Sequence, residues 1–151
     1  MRISNLLSTE TIVLSLKHSD KEGIIEELLD LAVKTGKVKD RKKALKALLD
    51  REDLGSTGLE SGLAIPHART NAVNGVAIAL GISKEGIDFQ SADNKPSHLF
   101  FLLLAAENET GVNVQVLALI ARMNLSSQFR SKMVSAESAE SALEIVRAME
   151  G

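Results

Sequence analysis

Leu99-Phe100-Phe101-Leu102-Leu103-Leu104-Ala105-Ala106 carries no polar side chain at any position. A strand with one face in water alternates apolar and polar residues. A run that is apolar on both faces therefore predicts a central strand covered by helices on both sides. Working outward, Val76 to Ser83 alternates and reads as a second strand. Glu85-Gly86 has turn chemistry, with Ile87-Asp88-Phe89 as a short partner beyond the turn. Ile12-Val13-Leu14-Ser15-Leu16 begins β-branched and reads as a first strand. Leu63-Ala64-Ile65 reads as a short strand delivering Pro66 and His67, because a residue before proline is pushed toward extended geometry.

Helical spacing fills the intervals. Ile24, Ile25, Leu28, Leu29, Leu31 and Ala32 recur behind an Asp20 cap, and Gly36 stands where a helix-ending glycine belongs. Asp40 caps a second helix whose stripe is Ala44, Leu45, Leu48 and Leu49, with Arg51 in its last turn and Gly55 after it. Further helices are predicted from Val112 to Met123, over Phe129 to Val134, and from Ser138 to the chain end. The fold class that follows is α/β: one domain over 1–151, with a central mixed β-sheet flanked by helices on both faces.

Composition sets the bounds. A chain of 151 residues with 44% hydrophobic and 25% charged residues fits one soluble globular domain. A net charge of -2, with no Trp or Tyr, disfavours a nucleic-acid partner. Zero cysteines exclude disulfides and zinc ribbons and fit a reducing compartment. The longest apolar run is far short of the ~20 residues needed to span a bilayer, so a cytoplasmic protein without membrane insertion is expected.

The chemistry concentrates in Arg51-Glu52-Asp53-Leu54-Gly55-Ser56-Thr57-Gly58-Leu59-Glu60-Ser61-Gly62-Leu63-Ala64-Ile65-Pro66-His67. Three glycines and the hydroxyls of Ser56 and Thr57 make a loop suited to an anion, and an arginine and a histidine bracket it. The histidines lack metal-ligand spacing, and neither a P-loop nor a dinucleotide fingerprint occurs, so neither a metal nor a cofactor is expected. The parts fit phosphoryl transfer. An imidazole with a pKa near ~6.5 is a free nucleophile at neutral pH and leaves again as a neutral amine. Such a transfer chiefly needs positioned cations and N–H donors. Read residue by residue, His67 is equally a structural histidine at a strand end. Arg51 is then a cation complementing a helix C-terminus, and Ser56 and Thr57 only shape a turn. The basic cluster Lys39, Arg41, Lys42, Lys43 and Lys46 reads as a solvated helix face.

The string Arg51-Glu52, Gly55-Ser56-Thr57-Gly58 and Ala64-Ile65-Pro66-His67 resembles the signature of the mannitol/fructose-type enzyme IIA domains of the bacterial phosphoenolpyruvate-dependent phosphotransferase system. That family includes the nitrogen-related regulatory enzyme IIA proteins. The resemblance covers the full chain. It implies a phosphocarrier in which His67 accepts a phosphoryl group from HPr or an HPr-like protein and passes it to an enzyme IIB domain. By the same resemblance Arg51 is the active-site arginine, and Ser56 and Thr57 line the phosphate site. Two positions depart from the pattern. Asn113 stands where many members carry a second histidine, able to hydrogen-bond a phosphate or orient His67 but not to accept the group. Glu60 stands where glycine is common. The departures leave two alternatives: a regulatory module whose phosphorylation state controls binding to partner proteins, and a degenerate member that binds a small anion.

Overall fold

The computed structural model describes residues 1–151. Five strands form one sheet: β1 (Ile12–Val13), β2 (Leu63–Ala64), β3 (His67–Arg69), β4 (Val76–Ile87) and β5 (Ser97–Ala105). Five helices cover it: α1 (Lys21–Val33), α2 (Arg41–Asp53), α3 (Thr110–Met123), α4 (Ser127–Val134) and α5 (Ala139–Glu150). The strand order is β1-β4-β5-β2, with β3 pairing β5 as well. Only β4 and β5 run antiparallel; β1 is parallel to β4, and β2 and β3 are parallel to β5. The expected mixed sheet, covered on both faces, is what forms.

The apolar run is the center of it. Leu99, Phe101, Leu103 and Ala105 face a core shared with Val116 and Ile120 of α3, Met133 of α4 and Val146 of α5. Phe100, Leu102 and Leu104 face the opposite core, with Ile24, Ile25 and Leu28 of α1 and Leu48 of α2. The period of two thus distributes one strand between two helical layers.

Local chemistry sets the helix boundaries. Asp20 caps α1 through the N–H of Gly23 at 3.0 Å, Asp40 caps α2 through Lys43 at 3.1 Å, and Ser126 and Ser138 cap α4 and α5. Gly36 takes φ 77° just past α1. At the chain ends, the Glu150 carboxylate accepts from the backbone N–H groups of Ile3 and Ser4, and Arg2 donates to the Gly151 carbonyl. This clasps the first 3₁₀ turn to the end of α5.

Two expectations change. The first strand stops at Val13 and does not reach Leu16. More consequentially, Glu85-Gly86 does not turn the chain. β4 continues to Ile87, still paired to β5 through Ile87 and Ser97, across an irregularity that begins after Ile82. Gly86, at φ 88°, absorbs this bulge; a Cβ there would lie 2.9 Å from Pro96 Cβ and 3.0 Å from His98 Cε1. Phe89 therefore lies beyond the strand. It is fully buried and packs edge-on against Phe100, with ring centroids 5.5 Å apart. Phe89→Ala is expected to cost about 3–5 kcal/mol with an unchanged denaturant slope, measured by urea unfolding.

Candidate functional site

β2 and β3 occupy the same edge of β5 in succession, Leu63 in register with Leu99 and His67 with Leu103. Pro66 separates them, lacking an N–H to donate, while its carbonyl still accepts from Leu103 at 2.9 Å. His67 is consequently the first residue of β3 as well as the terminus of the preceding segment. In register with Leu103, it lies on the sheet face that packs against α3 to α5.

The imidazole is half-buried, and its Nδ1 lies 2.7 Å from the Ile65 carbonyl. A carbonyl can only accept, so Nδ1 carries the proton and the lone pair is on Nε2. Burial depresses the His67 pKa below 6.5; the Ile65 carbonyl opposes this, the Arg51 charge adds to it and the Glu52 charge opposes it. The ring is therefore neutral and nucleophilic at pH 7. Arg51 donates through Nη1 to the Gly55 carbonyl at 2.9 Å, and the rest of its guanidinium fork is free.

Glu52 turns inward from the same helix end. It continues the stripe Ala44, Leu48 at four-residue spacing and is buried. Its carboxylate accepts from the Thr57 N–H at 2.8 Å, the Thr57 hydroxyl at 2.5 Å and the Lys21 ammonium at 2.8 Å. Lys21 also donates to Ser56 Oγ at 3.1 Å and Gln90 Oε1 at 3.0 Å, and it sits 4.8 Å from the Phe89 ring centroid. The Ser56 hydroxyl donates to the Phe89 carbonyl at 2.7 Å and accepts from the Gly58 N–H at 3.1 Å. The hydroxyl protons of Ser56 and Thr57 are thus both given to protein acceptors. Gly58 is the glycine the loop requires for space, since a Cβ would lie 2.5 Å from Ser91 Oγ and 2.9 Å from Ser91 Cα. From Gly58 the chain forms a tight hairpin, bridged between Gly58 and Ala64, with Ser61 and Gly62 at its tip at φ 58° and 77°.

Arg69, two residues after His67, donates to Thr110 Oγ1 at 2.8 Å and so joins β3 to the first turn of α3. That helix start has no side-chain cap, which leaves the positive end of its dipole available. Asn113 lies one turn along it, buried, and its Oδ1 has no hydrogen-bond partner. Glu60 is exposed at the hairpin. Elsewhere, His18 is held by Glu27 at 2.9 Å, His98 is bonded to the Ser83 carbonyl at 2.9 Å, and no group of three or more carboxylate or imidazole side chains is arranged to hold a metal ion. Of the basic cluster, Arg41 pairs with Asp30 and Glu26, and Lys46 pairs with Asp50. No helix is long and apolar enough to cross a membrane.

The family described as "Phosphoenolpyruvate-dependent sugar phosphotransferase system, EIIA 2" matches residues 5–149. The chain belongs to this family, whose members are phosphotransferases. It is 40% identical over 144 residues to the PTS system fructose-specific EIIA component of Haloferax volcanii, covering 95% of this chain and 94% of that protein. It is 36% identical over 146 residues to the PTS system fructose-specific EIIABC component of Bacillus subtilis, 97% of this chain but 23% of that longer protein. The crystal structure of the nitrogen regulatory protein IIA-Ntr from Neisseria meningitidis superposes with a TM-score of 0.88 at 33% identity, covering 95% of this EIIA chain and 98% of that one.

Lys21 and Glu52 were given no role by sequence reasoning, although each left a signal. An acid on an apolar stripe must have buried partners, and a lysine in the first turn of a helix opposes the helix dipole unless something holds it. Lys21→Met leaves the buried carboxylate without its cation and is expected to cost toward the low end of roughly 3–5 kcal/mol; adding Glu52→Gln should restore part of the loss, read by thermal and urea unfolding.

NMR titration of the ring protons should place His67 below and His18 above the ordinary histidine pKa, because Glu27 holds the His18 proton. Arg51→Ala should raise the His67 value and Glu52→Gln should lower it. The folded state resists protonation of His67, so its contribution to stability is complete above pH ~6.5 and declines as pH falls toward the folded pKa.

Proposed function

We propose that the EIIA chain is a histidine phosphocarrier whose acceptor is Nε2 of His67. The observation that carries this reading is the Nδ1–Ile65 contact, which leaves one ring nitrogen unprotonated beside Arg51. In the transfer, the Nε2 lone pair attacks phosphorus of a phosphohistidine donor, the donor's P–N bond breaks, and the donor imidazole leaves neutral. No proton has to move. The Nδ1–H bond to Ile65 fixes the tautomer throughout, Arg51 meets the charge on the equatorial oxygens, and the uncapped α3 start with Asn113 supplies further donors. Ser56 and Thr57, whose hydroxyls are engaged within the protein, support the site by shaping the loop that holds Arg51.

The donor in this reading is HPr or an HPr-like protein and the recipient an enzyme IIB domain. The resemblance to a fructose-specific EIIABC component, in whose name EIIA stands beside B and C, supports the recipient. A nucleic-acid partner is not part of the proposal, and its setting is the cytoplasm. With phosphoenolpyruvate, enzyme I and HPr, wild type should acquire one acid-labile phosphoryl group and His67→Ala none; label on His67→Ala refutes the assignment. Arg51→Ala should slow labelling by about 10²–10³-fold with an unchanged circular dichroism spectrum.

A regulatory role is the second reading, favored by Asn113 and by the 33% identity to a nitrogen regulatory protein. It is distinguished by capture with wild type and His67→Asp: a partner retained by only one form supports regulation, and efficient transfer to a IIB domain without such a partner supports carriage.

A further inference from the structure

A cleft of about 620 Å³ opens beside Leu99, four residues along β5 from the position that pairs with His67, or roughly 13 Å away. Its polar lining comes from Ser61 at the hairpin tip, Lys95 just before β5, His98 at the start of β5, and Arg130, Ser131 and Ser135 on and after α4. No carboxylate lines it, and neither Lys95 nor Arg130 takes part in an ion pair.

The rim is held in place before any ligand arrives. Arg130 donates to the Asn124 carbonyl, and the buried Asn124 amide donates to the Ser61 carbonyl at 3.3 Å, so one residue ties α4 to the hairpin tip. Asp93 accepts from the backbone N–H groups of Ser61 at 3.1 Å and Lys95 at 3.0 Å, and its carboxylate lies near enough to Lys95 to feel that charge without forming an ion pair. His98 is fixed through Nδ1 to the Ser83 carbonyl at 2.9 Å, which leaves Nε2 unbonded. Gly62 and Gly86 flank that ring, where added Cβ atoms would lie 3.3 Å and 3.0 Å from its carbons. The rim backbone, the Arg130 guanidinium and the His98 ring are therefore set before binding, which limits the ordering that binding has to impose.

We propose that this cleft is a binding site for a small organic phosphate, separate from the phosphoryl site at His67. A phosphate dianion matches two unpaired cations, one of them a guanidinium that can engage two oxygens at once. The three serines suit the remaining oxygens and the hydroxyls of the organic part. The volume falls within the ~300–1,000 Å³ of small-molecule sites and exceeds what an inorganic phosphate fills.

The test is an amide NMR titration of the full ¹⁵N-labelled chain with glycerol 3-phosphate at constant ionic strength, with inorganic phosphate and glycerol as parallel arms. Saturable shifts at Ser61, His98 and Ser131 are expected, weaker for inorganic phosphate and absent for glycerol. Lys95→Gln and Arg130→Gln should each weaken binding by about tenfold, the loss of one charge-assisted contact. Lys95→Gln keeps every backbone contact of the rim, so its effect reports charge and not folding. Shifts confined to residues 51–58, shifts that never saturate, equal affinity for inorganic phosphate, or affinity unchanged in both variants would each overturn the proposal.

Discussion

A carboxylate placed out of water at the end of α2 is the constraint on which the candidate site depends. Buried charge is tolerated only where hydrogen bonds and a countercharge surround it. Glu52 obtains them from Thr57, five residues on, and from Lys21, in a helix 31 positions earlier. Satisfying one group therefore fixes the loop after α2 and the first turn of α1 together. Arg51 is the immediate neighbor. Successive helix residues diverge by about 100°, so turning Glu52 inward sends Arg51 to the flank, near enough to His67 for its charge to be felt there.

The second constraint is parity. His67 occupies the α3 side of the sheet because it is in register with Leu103, whereas Ala68 falls with Leu104 on the other side. A slip of one residue would send the imidazole to the face covered by α1 and α2. The paired strands β2 and β3 meet the same neighbor, and the proline between them costs no sheet bond because it lies on an edge.

Most of this architecture was legible in the chain. Leu99 to Ala106 announced a strand covered on both faces, and Asp20, Asp40 and Ser138 announced helix starts, because these signals are local and nothing distant competes with them. The motif from Arg51 to His67 likewise marked the stretch that links the end of α2 to the edge of β5. Glu85-Gly86 misled because a glycine at positive φ serves a bulge as readily as a turn, and only the continuing pairing with β5 decides between them. The roles of Lys21 and Gln90 depended on contacts spanning 31 and 69 residues, which no window along the sequence contains. Ser56 and Thr57 were recognised as loop hydroxyls, but whether such a proton faces a ligand or a neighboring carbonyl is a matter of tertiary geometry.

Glu150 and Arg2 tie residues 2–4 to residues 150 and 151, so the first and last turns of this fold lie side by side, one covalent bond short of a closed loop. A short peptide could supply that bond without disturbing the sheet, and the backbone could then be severed at an exposed loop instead. Which residue counts as first is, for this architecture, closer to a convention than to a structural necessity.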